Sequence, residues 1–203
     1  GQEQLASVYE KNRPVESRIS NFVYAPFRST RGEGDVDRDK KDRAELLINR
    51  AAADARTPET QALLGRLYLT DKKYDQSIEA FRRSLDADAN DAGVMADLGA
   101  ALLESAKQAR ANGDEARAAK NLNESRRSLD DAISKDPSIL SARFNKALCL
   151  ETIPLPQKAV EAWQEYLKFD STSKWADEAR RHLETSQKQA KPELKAAELE
   201  AAF

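Results

Sequence analysis

In 203 residues the chain has one cysteine, one histidine and one methionine. A lone cysteine, Cys149, excludes an internal disulfide and any all-cysteine metal site, and it leaves the compartment open because reducing and oxidising spaces both tolerate one thiol. It stands among Ala147, Leu148 and Leu150, where a small buried hydrophobe is the ordinary reading. The lone histidine, His182, has no ligand-type residue four positions on, which reads as a surface side chain and not a metal ligand. No run approaches the roughly eighteen apolar residues that cross a bilayer, and the start Gly1-Gln2-Glu3-Gln4 has neither a basic region nor an apolar stretch. Basic residues number 33 against 35 acidic ones, for a net charge of −2, and no window is dense in Lys or Arg. No nucleic-acid partner and no direct membrane insertion are therefore expected of this segment. The pairs Arg82-Arg83, Arg126-Arg127 and Arg180-Arg181 are interleaved with acids and read as solvated helix faces. No nucleophile or acid-base constellation appears, so no catalytic residue, cofactor or metal site is assigned and an enzyme is not expected.

What is present is a pattern. Apolar residues make up 40% and charged residues 33%, and most glycines and prolines fall between segments with helical periodicity, as amphipathic helices with wet outer faces require. Leu64-Gly65 recurs as Leu98-Gly99, 34 positions on. After Gly65, Tyr68, Tyr74, Phe81 and Leu85 take the large-residue positions of a helix-turn-helix unit. After Gly99 the matching residues Leu122, Leu129, Ala132, Ile133 and Pro137 arrive fourteen positions late, which marks an insertion of about four helical turns shared by two helices. The next unit has normal length, with Ala147 at the small position and Ala159 and Trp163 in its second helix. This is tetratricopeptide spacing. The fold class expected is all-α: a tetratricopeptide-like α-solenoid of antiparallel helix pairs, with one elongated pair and a C-terminal capping helix.

The organisation follows. Residues 1–37 hold a short helix with Leu5, Val8 and Tyr9, an extended segment from Ile19 to Phe27 packing on the solenoid, and a loop over Ser29–Asp37. Residues 38–190 form the repeat domain: a half repeat at 38–56 with the stripe Ala44, Leu47, Ile48, Ala51 and Ala52, repeats at 58–91, 92–139 and 140–173, and a cap helix at 173–188 carrying Trp175, Ala179 and Leu183. Residues 191–203 are a helical tail or linker. The long pair is expected to protrude as an arm, and its need to bury Leu103, Leu122 and Leu129 predicts a homodimer through that pair.

Arrays of this kind hold a protein or peptide partner in the concave groove lined by the first helix of each repeat. That geometry nominates Arg66, Asp97, Leu103, Phe144, Asn145 and Leu148 as peptide-binding residues, with Arg66 as a donor to a carboxylate and Asn145 as a backbone clamp. Ala62, Ala96 and Phe144 stand where a clamp for chaperone C-terminal peptides would need basic or amide groups, which disfavours that ligand.

The run Arg13-Pro14-Val15-Glu16-Ser17-Arg18-Ile19-Ser20-Asn21-Phe22-Val23-Tyr24-Ala25-Pro26, then Arg31-Gly32, then the repeats, resembles the tetratricopeptide region of bacterial proteins that carry a C-terminal CHAT domain, a caspase-like peptidase fold. Ala142 to Leu148, Ala162-Trp163 and Trp175 to Ala179 resemble that family's last repeat and cap. Asn21 stands where the family pattern has Gly, and asparagine also tolerates a left-handed backbone. Any proteolytic role would belong to sequence outside these residues, since Cys149 and His182 lie in repeat helices and form no dyad. The resemblance implies the sensor or adaptor part of a larger bacterial protein, and an upstream membrane span that would place the chain outside the cytoplasm. The alternative is a free-standing assembly factor of the envelope or cytoplasm. The start at Gly1 instead of Met fits a piece of a longer protein.

Overall fold

The computed structural model describes residues 1–28 and 37–200, with side chains as far as Lys191. Nine helices are described: α1 (Gln2–Val8), α2 (Arg38–Asp54), α3 (Pro58–Thr70), α4 (Tyr74–Ala87), α5 (Ala92–Ala111), α6 (Glu115–Lys135), α7 (Leu140–Thr152), α8 (Pro156–Phe169) and α9 (Lys174–Glu200). No strand occurs among the described residues; one isolated bridge joins Arg13 and Phe27. Local chemistry sets the helix ends. Thr57 and Thr60 form a reciprocal capping box before α3, Asp91 and Asp114 cap α5 and α6 through their side chains, and Pro156 opens α8, where its missing N–H costs nothing. Gly113, at φ +80°, turns the chain between α5 and α6.

Helices α3 and α4, α5 and α6, and α7 and α8 form antiparallel pairs, and α3, α5 and α7 lie side by side as the inner layer. Each pair closes on the same device. A Cβ on Gly65 would lie 2.5 Å from the Phe81 ring, and one on Gly99 would lie 2.5 Å from Leu129, so both glycines let a fully buried residue of the second helix touch backbone. Ser77 and Ser125 then donate to the carbonyls of Gly65 and Gly99 at 2.8 and 2.7 Å. In the third pair the equivalent positions are Ala147, Trp163 and Ala159, all fully buried.

Helices α5 and α6 are each seven residues longer than their counterparts α3 and α4, 20 against 13 and 21 against 14. The added turns do not stand free as an arm. Lys107 bonds Glu16 at 2.7 Å, Arg110 bonds the Thr152 carbonyl at 2.8 Å, and Arg117 pairs with Asp75. Leu103, Leu122 and Leu129 are buried within one chain, which removes the ground on which a homodimer was expected. Helix α2 buries only Ala44 and Ile48, leaving Leu47 of its expected stripe exposed. Helix α1 ends at Val8, and α9 continues past the expected cap boundary to Glu200. The loop expected over Ser29–Asp37 falls outside the described residues except for Asp37, which caps α2.

Candidate peptide-binding groove

The inner layer already holds a non-helical segment, and it is the protein's own. Bends run through residues 14–17, and a turn at Ser20-Asn21, with the Phe22 N–H donating to the Ile19 carbonyl at 3.2 Å, interrupts the stretch from Ile19 to Phe27 that was expected to be extended. Residues 13–27 loop across α5, α7, α8 and α9, closed at the base by the Arg13 N–H donating to the Pro26 carbonyl at 3.1 Å. Pro14 and Pro26 keep the preceding residues from helix, and Asn21 takes a left-handed φ of 64°, the conformation that asparagine tolerates. Val15 and Ile19 enter the apolar cluster with Leu69, Phe81 and Val94, and Ala25 is 1% exposed.

Polar groups of the repeats meet the backbone of this segment. The Asn145 carboxamide accepts from the Arg18 N–H at 2.8 Å and donates to the Arg18 carbonyl at 2.9 Å. Asp97 accepts from the Ser20 N–H at 2.7 Å, and Glu104 from the Ser17 N–H at 2.9 Å. Side chains add to this: the Ser17 hydroxyl donates to Glu104 at 2.6 Å, and the Ser20 and Ser141 hydroxyls lie 3.0 Å apart. Every one of these groups is buried or partly buried, so each bond also removes the penalty of an unpaired polar atom.

The nominated residues therefore divide. Asp97 and Asn145 meet the segment directly. Arg66 donates to Asp97 at 2.7 Å and to Gln2 at 3.2 Å, so its carboxylate partner is internal and it braces the Asp97 clamp. Leu103, Phe144 and Leu148 are interior residues, at 0%, 0% and 2% exposure, and do not present themselves to a ligand. Phe144 meets Trp163, Tyr166 and Trp175 edge-on at centroid distances of 5.0, 5.4 and 5.1 Å. Repeat geometry places such residues on the inner side of the first helix, but aromatic partners from α8 and α9 close over them.

At the α8–α9 end sits a cluster that spacing did not reveal. Arg13 is 5% exposed and forks onto the Glu178 carboxylate, with Nη1 donating to Oε2 at 3.0 Å and Nη2 donating to Oε1. It also donates to the carbonyls of Ala25, Val15 and Glu16. Arg18 donates to the Tyr166 hydroxyl at 2.8 Å, which donates to Asp170 at 2.6 Å. Burial pushes the Arg18 guanidinium below its usual range despite Tyr166 and Asp170 beside it. Burial raises the Tyr166 phenol, and its bond to Asp170 adds to this. Burial works to raise the Asp170 carboxyl, but bonds from Ser173 and Tyr166, with Arg18 nearby, hold it below the usual carboxylate range. His182 is not a free surface residue: it stacks on Trp163 at 5.0 Å, and its Nδ1 lies 2.9 Å from Glu151.

Burial raises the Cys149 thiol to about 11, which keeps it in the thiol form near neutral pH. Among the described residues no group of three or more His, Cys, Asp or Glu could hold a metal ion, and no helix is long and apolar enough to cross a membrane.

The tetratricopeptide repeat family model matches residues 30–92 and 110–174. The chain belongs to the tetratricopeptide repeat family. The unmatched stretch between these spans falls on the lengthened α5. Among solved structures, the chain is similar to TTC0263, a thermophilic tetratricopeptide repeat protein of Thermus thermophilus, at 20% identity and a TM-score of 0.61, over 81% of this chain and 90% of that one. It is also similar to the TPR2B domain of yeast Sti1, solved with an Hsp70 peptide, at 20% identity and 0.55, over 66% and 99%. A third is YrrB, described as having an unusual peptide-binding site, at 15% identity and 0.52, over 71% and 66%. No curated protein sequence matches.

Proposed function

We propose that this chain is a non-catalytic protein-interaction scaffold that holds a non-helical polypeptide segment along its inner helix layer. One observation carries the reading: Asn145, Asp97 and Glu104 grip the main chain of residues 17–20 through its N–H and C=O groups. Main-chain capture depends on backbone geometry more than on side-chain identity, so the same groups serve a partner's chain that takes the bends and turn of residues 13–27. Solved tetratricopeptide structures with bound peptides, such as Sti1 TPR2B with its Hsp70 peptide, support it. The internal segment competes at the high effective concentration of a tethered ligand, of millimolar order, which makes partner binding conditional on its release.

A protease site added between Gly32 and Gly34, with the remaining residues kept, tests this by cleavage of the folded chain. The cut protein should elute as one particle, and a labelled peptide of residues 11–28 should exchange into it. Pieces that part at once, or a segment that never exchanges, would remove the reading.

The resemblance of residues 13–26 and of the last repeat to CHAT-linked tetratricopeptide proteins supports a sensor or adaptor region of a larger bacterial protein, placed outside the cytoplasm by an upstream span. The complete reading frame decides this. A caspase-like domain downstream and a membrane span upstream favour it, and their absence favours a free-standing assembly factor.

A further inference from the structure

Two arginines of the segment 13–27, five residues apart, converge on one aromatic side chain. The guanidinium carbon of Arg13 lies 4.7 Å from the Trp175 ring centroid, and that of Arg18 lies 4.9 Å from it. Each cation also has its own carboxylate from the same end of the solenoid, Glu178 on α9 for Arg13 and Asp170 at the C-cap of α8 for Arg18. We propose that this α8–α9 end is an arginine-reading site, selecting peptides that carry two arginines spaced as Arg13 and Arg18 are. The proposal rests on the groove reading above and adds its specificity: Asn145, Asp97 and Glu104 hold the main chain, and Trp175, Glu178, Tyr166 and Asp170 decide which chain stays.

The chemistry favours arginine over lysine at both places. A planar fork satisfies both Glu178 oxygens at once and stacks on an indole, whereas an ammonium is a point charge that is harder to strip of water. The cap packs through Ala176 and Ala179, both fully buried, and Trp175 meets Phe144 edge-on. The arginines arrive from a segment outside the repeats, as a ligand's would. Tyr24 of that segment also meets Trp175 edge-on, at 5.1 Å, so the reading face is completed by the occupant.

The test uses the full chain carrying Arg13→Ala and Arg18→Ala, which should loosen the internal segment and changes no residue of the repeats. A labelled peptide of residues 11–28 should bind this variant and not the parent chain. The same peptide with both arginines replaced by alanine should bind roughly a hundredfold more weakly, since it forfeits a buried bidentate ion pair and two aromatic contacts. Equal binding of the two peptides would overturn the arginine reading and leave the groove reading standing. Failure of both peptides while the Ser17, Arg18 and Ser20 amides stay protected from exchange would also overturn it, because the arginines would not be what holds the segment. Failure of both with those amides unprotected would remove the groove reading as well. Should the alanine pair lose its helical signal, Arg13→Lys with Arg18→Lys keeps the charge and stem, and the same comparison applies.

Discussion

The Asn145 side chain closes on the Arg18 peptide from both ends, accepting from its N–H and donating to its C=O. Asn145 is fully buried, so loss of the amide leaves both Arg18 groups facing a buried cavity and not bulk water. Asn145→Ala should cost about 2–4 kcal/mol, two buried polar groups left unpaired, and should raise amide exchange at Arg18 well above that in the cores of α5 and α7. Asn145→Asp keeps the acceptor but sets a carboxylate against the Arg18 carbonyl, so it should recover at most half of that loss. Denaturant unfolding with residue-resolved exchange reads both.

Gly65 and Gly99 are the contacts on which their helix pairs close. An added Cβ would meet the Phe81 ring and the Leu129 side chain at 2.5 Å, closer than packed atoms come. Gly65→Ala and Gly99→Ala should each destabilise by about 1–3 kcal/mol through overpacking, outweighing the gain of roughly 1 kcal/mol in helix propensity. Pairing Gly99→Ala with Leu129→Ala should recover much of the overpacking term while adding a cavity cost, a coupling that a double-mutant cycle on thermal unfolding measures.

These glycines are also where the sequence is most legible. A small residue that returns at a fixed spacing, with a large residue sixteen positions on in the unlengthened pairs, exposes the pair geometry directly: Gly65 with Phe81 and Ala147 with Trp163. The fourteen-residue delay is likewise visible, and so is its division between α5 and α6, because Asn112-Gly113 is a pair that favours a helix end. The fate of the added turns was not visible. Whether they stand free depends on Glu16, Thr152 and Asp75 reaching them from distant parts of the chain, and no local period encodes that. The groove was half legible for the same reason. Asp97 and Asn145 lie at inward positions of a repeat, but their partner is a stretch without periodicity, whose arginines gain meaning only against Trp175 and Glu178.

The Arg66–Asp97 pair, 2.7 Å apart with side chains 8% and 0% exposed, links the groove to α3. Asp97→Ala removes the Ser20 acceptor and leaves a buried guanidinium unpaired, a change that should cost about 3–5 kcal/mol. Arg66→Met with Asp97→Asn keeps an acceptor for Ser20 and buries no charge, and it should lie much closer to the parent in stability. If the single and double variants unfold alike, the charge pair is not what sets the cost.

Cys149 lies in α7 with its thiol toward the Leu122 carbonyl at 3.6 Å, buried and raised to about 11. Its reaction with a thiol reagent at neutral pH should be limited by unfolding and should rise with denaturant in step with loss of helix. Cys149→Ala should leave peptide binding unchanged and lower stability by about 1 kcal/mol, the loss of one small buried group. Fast labelling of the native protein would show that α7 opens locally.

Asp170 makes the groove sensitive to acid. Its folded carboxyl lies below the ordinary range, because bonds from Ser173 and Tyr166 and the nearby Arg18 outweigh the opposing effect of burial. A depressed folded value means that the unfolded chain takes up the proton first. The stabilisation is therefore fully present above the unfolded carboxylate value of about 3.9 and is lost as pH falls through the lower folded value. Asp71, depressed by Lys41 and Lys73 against its own burial, adds a slope of the same sign. Stability measured from pH 6 downward should fall more steeply in the parent than in Asp170→Asn, whose curve lacks this titration. Because Asp170 reaches the segment through Tyr166 and Arg18, the Arg18 amide should lose protection at higher pH than the amides in the middle of α5. Parallel loss at both places would mean that the carboxylate stabilises the whole solenoid and not the hold on the segment.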